Sequence, residues 1–222
     1  MKRIISPSLL SADFSNLKED IEIVEKAGAT RLHIDCMDGH FVPNFTFGPF
    51  ILKAINKLTN LHLETHLMID NPSNYFDDFI NAGADTLIFH YEASGDVRKD
   101  LEYIKSKNIK CGIALKPETS YKVLEKYLDI LDYILIMSVS PGFGGQGFIE
   151  ETLLKMELTN EMCIKYNCRD KVTIGVDGGV NLSTIKKVYE TGIDVTIVGS
   201  GLYKAENVPA RFDELMKKNW FL

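Results

Sequence analysis

The chain has 222 residues, 45% of them hydrophobic and 25% charged, which supplies a sizeable buried core and excludes a disordered or fibrous polymer. Its 25 Lys and Arg against 31 Asp and Glu leave a net charge of −6, which repels a phosphate backbone and sets nucleic-acid binding aside as the main activity. Four cysteines without a Cys-x-x-Cys pair, and no apolar run long enough to span a bilayer, fit a soluble protein of a reducing compartment, with the cytoplasm as the expected location and no membrane partner.

The N-terminal segment from Met1 to Phe14 carries Lys2 and Arg3, but its apolar stretch is interrupted by Pro7 and Asp13, so it reads as neither signal peptide nor membrane span. A first β-run begins near Ile4. Ser8, in Ser6-Pro-Ser8, can face a site at that strand's end or act as a structural hydrogen-bonder. A helix follows in which Leu17, Ile21 and Val24 share a face; Asn16 with Glu19 predicts a capping-box variant at its start and Gly28 its stop.

The second run, Arg31 to Met37, sends His33, Asp35 and Met37 to one face, with neighbours about 6.6 Å apart, a span that one metal ion can bridge. By itself the pair also fits a core strand with one satisfied histidine. The third run places His62, Glu64, His66 and Met68 on one face; His62 opens it and reads as structural, whereas His66 closes it. A fourth run starts near Thr86 and ends at His90, expected as a neighbouring polar residue rather than a ligand; His40 falls in a loop. Runs near Lys110 and Tyr133 lead through Met137 to the loop Ser140-Pro-Gly-Phe-Gly-Gly-Gln146. Cys163 and Cys168 lie on a helical pattern with no second pair and read as idle thiols. The seventh run, from near Val172, ends at Asp177 before Gly178 and Gly179; the eighth, from Val195, runs into Gly199, Ser200 and Gly201. Phe212, Leu215 and Met216 mark a last amphipathic helix.

Eight β-runs alternating with helical stretches, 23 to 39 residues from start to start, predict an α/β chain built as one domain over residues 1–222. An open doubly wound sheet has the same alternation, but eight units in so compact a chain favour closure into a (β/α)8 TIM barrel. The chemistry of a barrel lies at the C-terminal strand ends. There, His33, Asp35, His66 and Asp177 form a two-histidine, two-carboxylate set suited to one divalent ion per subunit, with zinc the first expectation and iron(II), manganese or cobalt also compatible. Such buried charge needs a partner, and a cation satisfies all four side chains. The glycines of the last three strand-end loops free backbone N–H groups for a phosphate dianion. Met37, Met68 and Met137, at or near strand ends, either fill core gaps or form a thioether lid that excludes water from a reactive carbanion.

Together the segments Ser6-Pro-Ser-Leu-Leu-Ser-Ala-Asp-Phe14, His33-Ile-Asp-Cys-Met-Asp-Gly-His-Phe-Val-Pro-Asn44, His66-Leu-Met68, Ser138-Val-Ser-Pro-Gly-Phe-Gly-Gly-Gln146, Val176-Asp-Gly-Gly179 and Val198-Gly-Ser200 closely resemble the ribulose-phosphate 3-epimerases, barrel enzymes of the pentose phosphate pathway. The resemblance spans nearly the whole length. It implies a ribulose-phosphate-binding type of barrel that epimerises C3 of D-ribulose 5-phosphate through a cis-enediolate. It also implies metal ligation by His33, Asp35, His66 and Asp177, with Asp35 and Asp177 as the acid/base pair, and substrate contact by Ser8 and His66. Phosphate binding is implied along Gly142, Phe143, Gly144, Gly145 and Gln146, and at Gly178, Gly179, Gly199 and Ser200. A small ketose phosphate is the expected partner, and a homodimer or larger homo-oligomer the expected assembly.

The chain departs from the family pattern at Glu64-Thr65, where Asp and an apolar residue are usual, at Ser140, where Asn or Glu is more common, and at Gly201, where Ala is. None removes an expected ligand, though Glu64 bears on metal preference. The same site would also serve 3-epimerisation of a six-carbon ketose phosphate. Decarboxylases and aldol lyases of related barrels would carry Asp-x-Lys-x-x-Asp on the third strand, where this chain has Glu64-Thr-His. A non-catalytic phosphosugar sensor would keep the glycine loops without needing opposed aspartates.

Overall fold

The computed structural model describes residues 3–217, so Met1 and Lys2 of the N-terminal segment and both ends of the expected 1–222 domain lie outside the described residues. Eight strands form one sheet: β1 (Ile4–Pro7), β2 (Arg31–Met37), β3 (His62–Met68), β4 (Thr86–His90), β5 (Lys110–Leu115), β6 (Tyr133–Met137), β7 (Thr173–Asp177) and β8 (Val195–Val198). Every pairing is parallel, in the order β1-β8-β7-β6-β5-β4-β3-β2. A parallel bridge between Ser8 and His33 joins the two ends and closes the (β/α)8 barrel.

Around it lie α1 (Leu17–Lys26), α2 (Pro49–Ile55), α3 (Phe76–Ala82), α4 (Val97–Ser106), α5 (Thr152–Lys165), α6 (Ile185–Glu190), α7 (Ser200–Tyr203) and α8 (Val208–Met216). The strict strand–helix alternation needs two corrections. The β5–β6 connection is a 3-10 helix, Tyr121–Tyr127, and two helices follow β8. Three residues per turn stack Tyr121, Leu124 and Tyr127 on one edge, and all three pack on the core. The capping box at Asn16 does not form: its side-chain amide donates to Asp13 Oδ2 at 3.1 Å instead, so no side chain caps α1. Gly28, at φ 101°, does end that helix's segment.

Period-2 alternation sorts each strand. Leu32, Ile34 and Cys36 of β2, Leu87 and Phe89 of β4, and Ile174 and Val176 of β7 face the helices in the large outer core. Ile88, Ala114, Leu135, Val195 and Ile197 fill the barrel interior with Tyr133 and Met137. Gly175 makes room there, since a Cβ on it would sit 2.3 Å from the Tyr133 hydroxyl. Toward the top, the interior turns polar: His33, Asp35, Glu64, His66 and His90 are all buried. All four cysteines are buried free thiols. Among the described residues, no helix is long and apolar enough to cross a membrane.

Candidate active site

Strand register assembles the site. In the β2–β3 pair, His33 lies beside Glu64, Asp35 beside His66, and Met37 beside Met68, while β6–β7 sets Met137 beside Asp177. His33 Nε2 is 3.3 Å from Asp35 Oδ1, and His66 Nδ1 is 3.1 Å from the same oxygen. The two imidazole nitrogens stand 3.4 Å apart, and Asp177 Oδ2 lies 3.9 Å from His66 Nδ1. One ligand atom from each of the four residues lies within 4.8 Å of all the others, and no further group of metal-competent side chains occurs among the described residues.

The cluster floors a pocket. Its walls include Ser8, Asp35, Met37, Met68, Met137 and Asp177, and its rim is made by Gly142 to Gln146, Gly178, Gly179, Gly199 and Ser200. His33 and His66 lie fully buried beneath it. Ser8 donates its hydroxyl to Asp35 Oδ2 at 2.7 Å, which leaves Oδ1 toward the histidines. The loop after β6 is folded on itself, the Gln146 amide donating to the carbonyls of Ser140 and Phe143, and Asn44 ties it to the β2 loop through the Gly142 carbonyl. At Gly179, φ is +65° and an added Cβ would meet the Phe148 backbone nitrogen at 2.5 Å, so only glycine passes there.

A family model described as the ribulose-phosphate 3 epimerase family matches residues 4–203. The ribulose-phosphate 3-epimerase of Bacillus subtilis (strain 168) is 45% identical over 199 residues, covering 90% of this chain and 91% of its own. This chain belongs to the ribulose-phosphate 3-epimerase family. The epimerase of Synechocystis sp. is 44% identical over 206 residues, covering 92% of this chain and 89% of its own. Among solved structures, 3-hexulose-6-phosphate synthase from Salmonella typhimurium has a TM-score of 0.67 at 19% identity, covering 97% of this chain and 96% of that one; so distant a likeness speaks for the barrel alone.

The donor atoms of this epimerase-family site fit a metal ion. Two ligands bound at about 2.1 Å at a tetrahedral angle sit roughly 3.4 Å apart, close to the 3.1 to 3.4 Å separations among His33, Asp35 and His66. Burial, with smaller effects from the His90 and His33 charges, pulls the His66 pKa down to about 4, so its imidazole is neutral as a ligand must be. Burial opposes a charge on His33 too, but Asp35, Glu64 and Asp177 outweigh it and raise its pKa well above the ordinary value. Burial and the Asp35 charge push the Asp177 carboxyl up to about 7. Asp35 stays below the usual carboxylate range because His33 and His66 outweigh its own burial. The residues present accommodate one divalent ion per subunit, which on binding would displace the His33 proton and favour the ionised Asp177.

Glu64, marked in the sequence as bearing on metal preference, is held beneath the site by Arg31 and Ser6, to which the sequence reading gave no role. Glu64 Oε2 faces His33 Nδ1 at 3.7 Å from below, and Glu64 is itself gripped by Arg31 Nη1 at 2.5 Å and Ser6 Oγ at 2.7 Å. Against its burial, His33 first and then Arg31 and Ser6 hold the Glu64 pKa down to about 2. Ser11 also lines the pocket, from the turn that carries Ser8. His62 is structural as expected, hydrogen-bonded to Thr86 Oγ1 at 2.7 Å, and His40 is an exposed loop residue. His90 stays outside the ligand cluster but touches it, its Nε2 lying 3.0 Å from His66 Nε2.

Proposed function

We propose that the protein interconverts D-ribulose 5-phosphate and D-xylulose 5-phosphate, with Asp35 and Asp177 moving the proton at C3. The observation that carries this reading is the pair of carboxylates on β2 and β7 flanking a buried two-histidine cluster in a glycine-rimmed pocket. Inverting a carbon α to a carbonyl requires proton removal from one face and delivery to the other. Asp35, steadied by Ser8, serves one face and Asp177 the other, and the two exchange roles with the direction of reaction. Between the two transfers the sugar is a planar cis-enediolate. A divalent ion held by His33, Asp35, His66 and Asp177, zinc being first among zinc, iron(II), manganese and cobalt, supplies Lewis acidity toward the negative charge that builds on the sugar oxygens. The loop amides from Gly142 to Gln146 and at Gly178, Gly179, Gly199 and Ser200 anchor the phosphate, so that remote binding energy orients C3. Met37, Met68 and Met137 wall the pocket with groups that donate no stray proton.

In this reading residues 1–222 form one catalytic barrel domain, working in the cytoplasm as a homodimer or larger homo-oligomer on a small ketose phosphate. Proton NMR of the zinc-loaded protein with ribulose 5-phosphate, and separately with allulose 6-phosphate, tests the substrate. Faster formation of xylulose 5-phosphate supports the proposal; a preference for the six-carbon sugar replaces the substrate, and no turnover of either overturns it.

A further inference from the structure

His90 ends β4, and the 3-10 turn Tyr91–Ala93 folds Glu92 back against it, with His90 Nδ1 3.1 Å from Glu92 Oε2. The other Glu92 oxygen, Oε1, is already occupied: it accepts from the Lys116 backbone N–H at 2.9 Å and from the Thr119 hydroxyl. On its far side His90 Nε2 meets His66 Nε2 at 3.0 Å, and His66 Nδ1 points at Asp35 and the cation cluster. Neither His90 nor Glu92 lines the pocket.

A neutral imidazole carries one proton on one nitrogen, and this limits the possible assignments. The Glu92 carboxylate is acceptor-only, so His90 must present Nδ1–H to it. His90 Nε2 is then a lone pair and accepts from His66 Nε2–H. His66 Nδ1 is consequently a lone pair facing Asp35 Oδ1 at 3.1 Å, a juxtaposition that a cation held between the two donor atoms relieves, whereas nothing of the kind can lie between His90 and Glu92. The opposite assignment sets the His90 Nδ1 lone pair against a carboxylate oxygen at 3.1 Å, with the His90 ring fully buried.

We infer that Glu92, acting through His90, is a positioning residue that fixes His66 in the tautomer offering its Nδ1 lone pair to the metal. The inference rests on the metal-assisted reading above. It gives Glu92→Gln a specific consequence: the Lys116 N–H is a fixed donor and claims the amide oxygen, so the amide NH2 turns to His90, moves its proton to Nε2, and forces the proton of His66 onto Nδ1. Ring-nitrogen NMR of 15N-histidine protein loaded with zinc reads the first part in the wild type, where His90 carries its proton on Nδ1. Zinc titration against a competing chelator reads the second, with E92Q binding zinc about 10 to 100 times more weakly than wild type. A His90 proton on Nε2 in the zinc-loaded wild type overturns the inference whether or not E92Q folds. So does a folded E92Q that binds zinc as tightly as wild type. A wild-type protein that binds no zinc overturns both this inference and the metal-assisted reading, whereas failure confined to His90 leaves that reading standing.

Discussion

Replacing Asp177 by Asn should stabilise the metal-free fold while removing activity. Its carboxyl is pushed from the ordinary 3.8 to about 7, by burial first and the Asp35 charge second, and its side chain is 16% exposed. A carboxyl with a raised folded-state pKa binds more protons folded than unfolded, so stability falls as pH rises from 3.8 and the full penalty is in place above 7. Three units at about 1.4 kcal/mol each give a ceiling of about 4 kcal/mol at pH 8, shrinking to about 2 kcal/mol at pH 5. Asn cannot ionise, so metal-free D177N escapes the penalty. Urea unfolding of metal-stripped wild type and variant at pH 5 and 8 reads the difference, and zinc should reverse the order by stabilising the wild type more. Loss of the acid/base group alone should lower turnover by about 10²–10⁴. An unfolding difference that does not grow with pH would refute the electrostatic argument, and full activity in folded D177N would refute the role of Asp177.

Other perturbations reach different parts of the account. Ser8→Ala removes the 2.7 Å hydrogen bond to Asp35 and should cost about 1.5–3 kcal/mol in denaturant unfolding, with kcat falling as Asp35 loses its fixed orientation. Arg31→Met leaves the fully buried Glu64 without its cation and should destabilise by about 3–5 kcal/mol; an unchanged unfolding midpoint would mean that Ser6 and His33 suffice. Gly179→Ala, blocked by a +65° φ and the Phe148 backbone, should destabilise by at least ~1 kcal/mol and raise KM through a displaced phosphate rim, with unchanged KM counting against that rim.

Local alternation made much of the site legible. The period of two along Arg31–Met37 is enough to put His33 and Asp35 on one face, and β2 does so. Asp177 was marked by the glycines after it. Closure was legible only from the number of units in so compact a chain, because alternation alone is shared with open sheets and the bridge that closes the barrel joins Ser8 to His33 across 24 intervening residues. His90 looked peripheral for a similar reason: the contacts that give it meaning come from Glu92 through a 3-10 turn and from Lys116 and Thr119 beyond the next strand. Glu64 stood out as a departure from the family pattern, yet its partners Arg31 and Ser6 come from two other strands. At Asn16 the local rule failed because Asp13 competes for the side chain, and a capping pattern cannot show which neighbour wins.

The most direct test of two-aspartate proton transfer is the reaction of the zinc-loaded protein with ribulose 5-phosphate in D2O, followed by NMR with and without a chelator. Solvent-derived hydrogen should enter C3 as xylulose 5-phosphate forms, and both should stop when the metal is removed and resume when zinc is restored. Xylulose 5-phosphate that keeps its original C3 hydrogen throughout, or turnover that continues after verified metal removal, would contradict it.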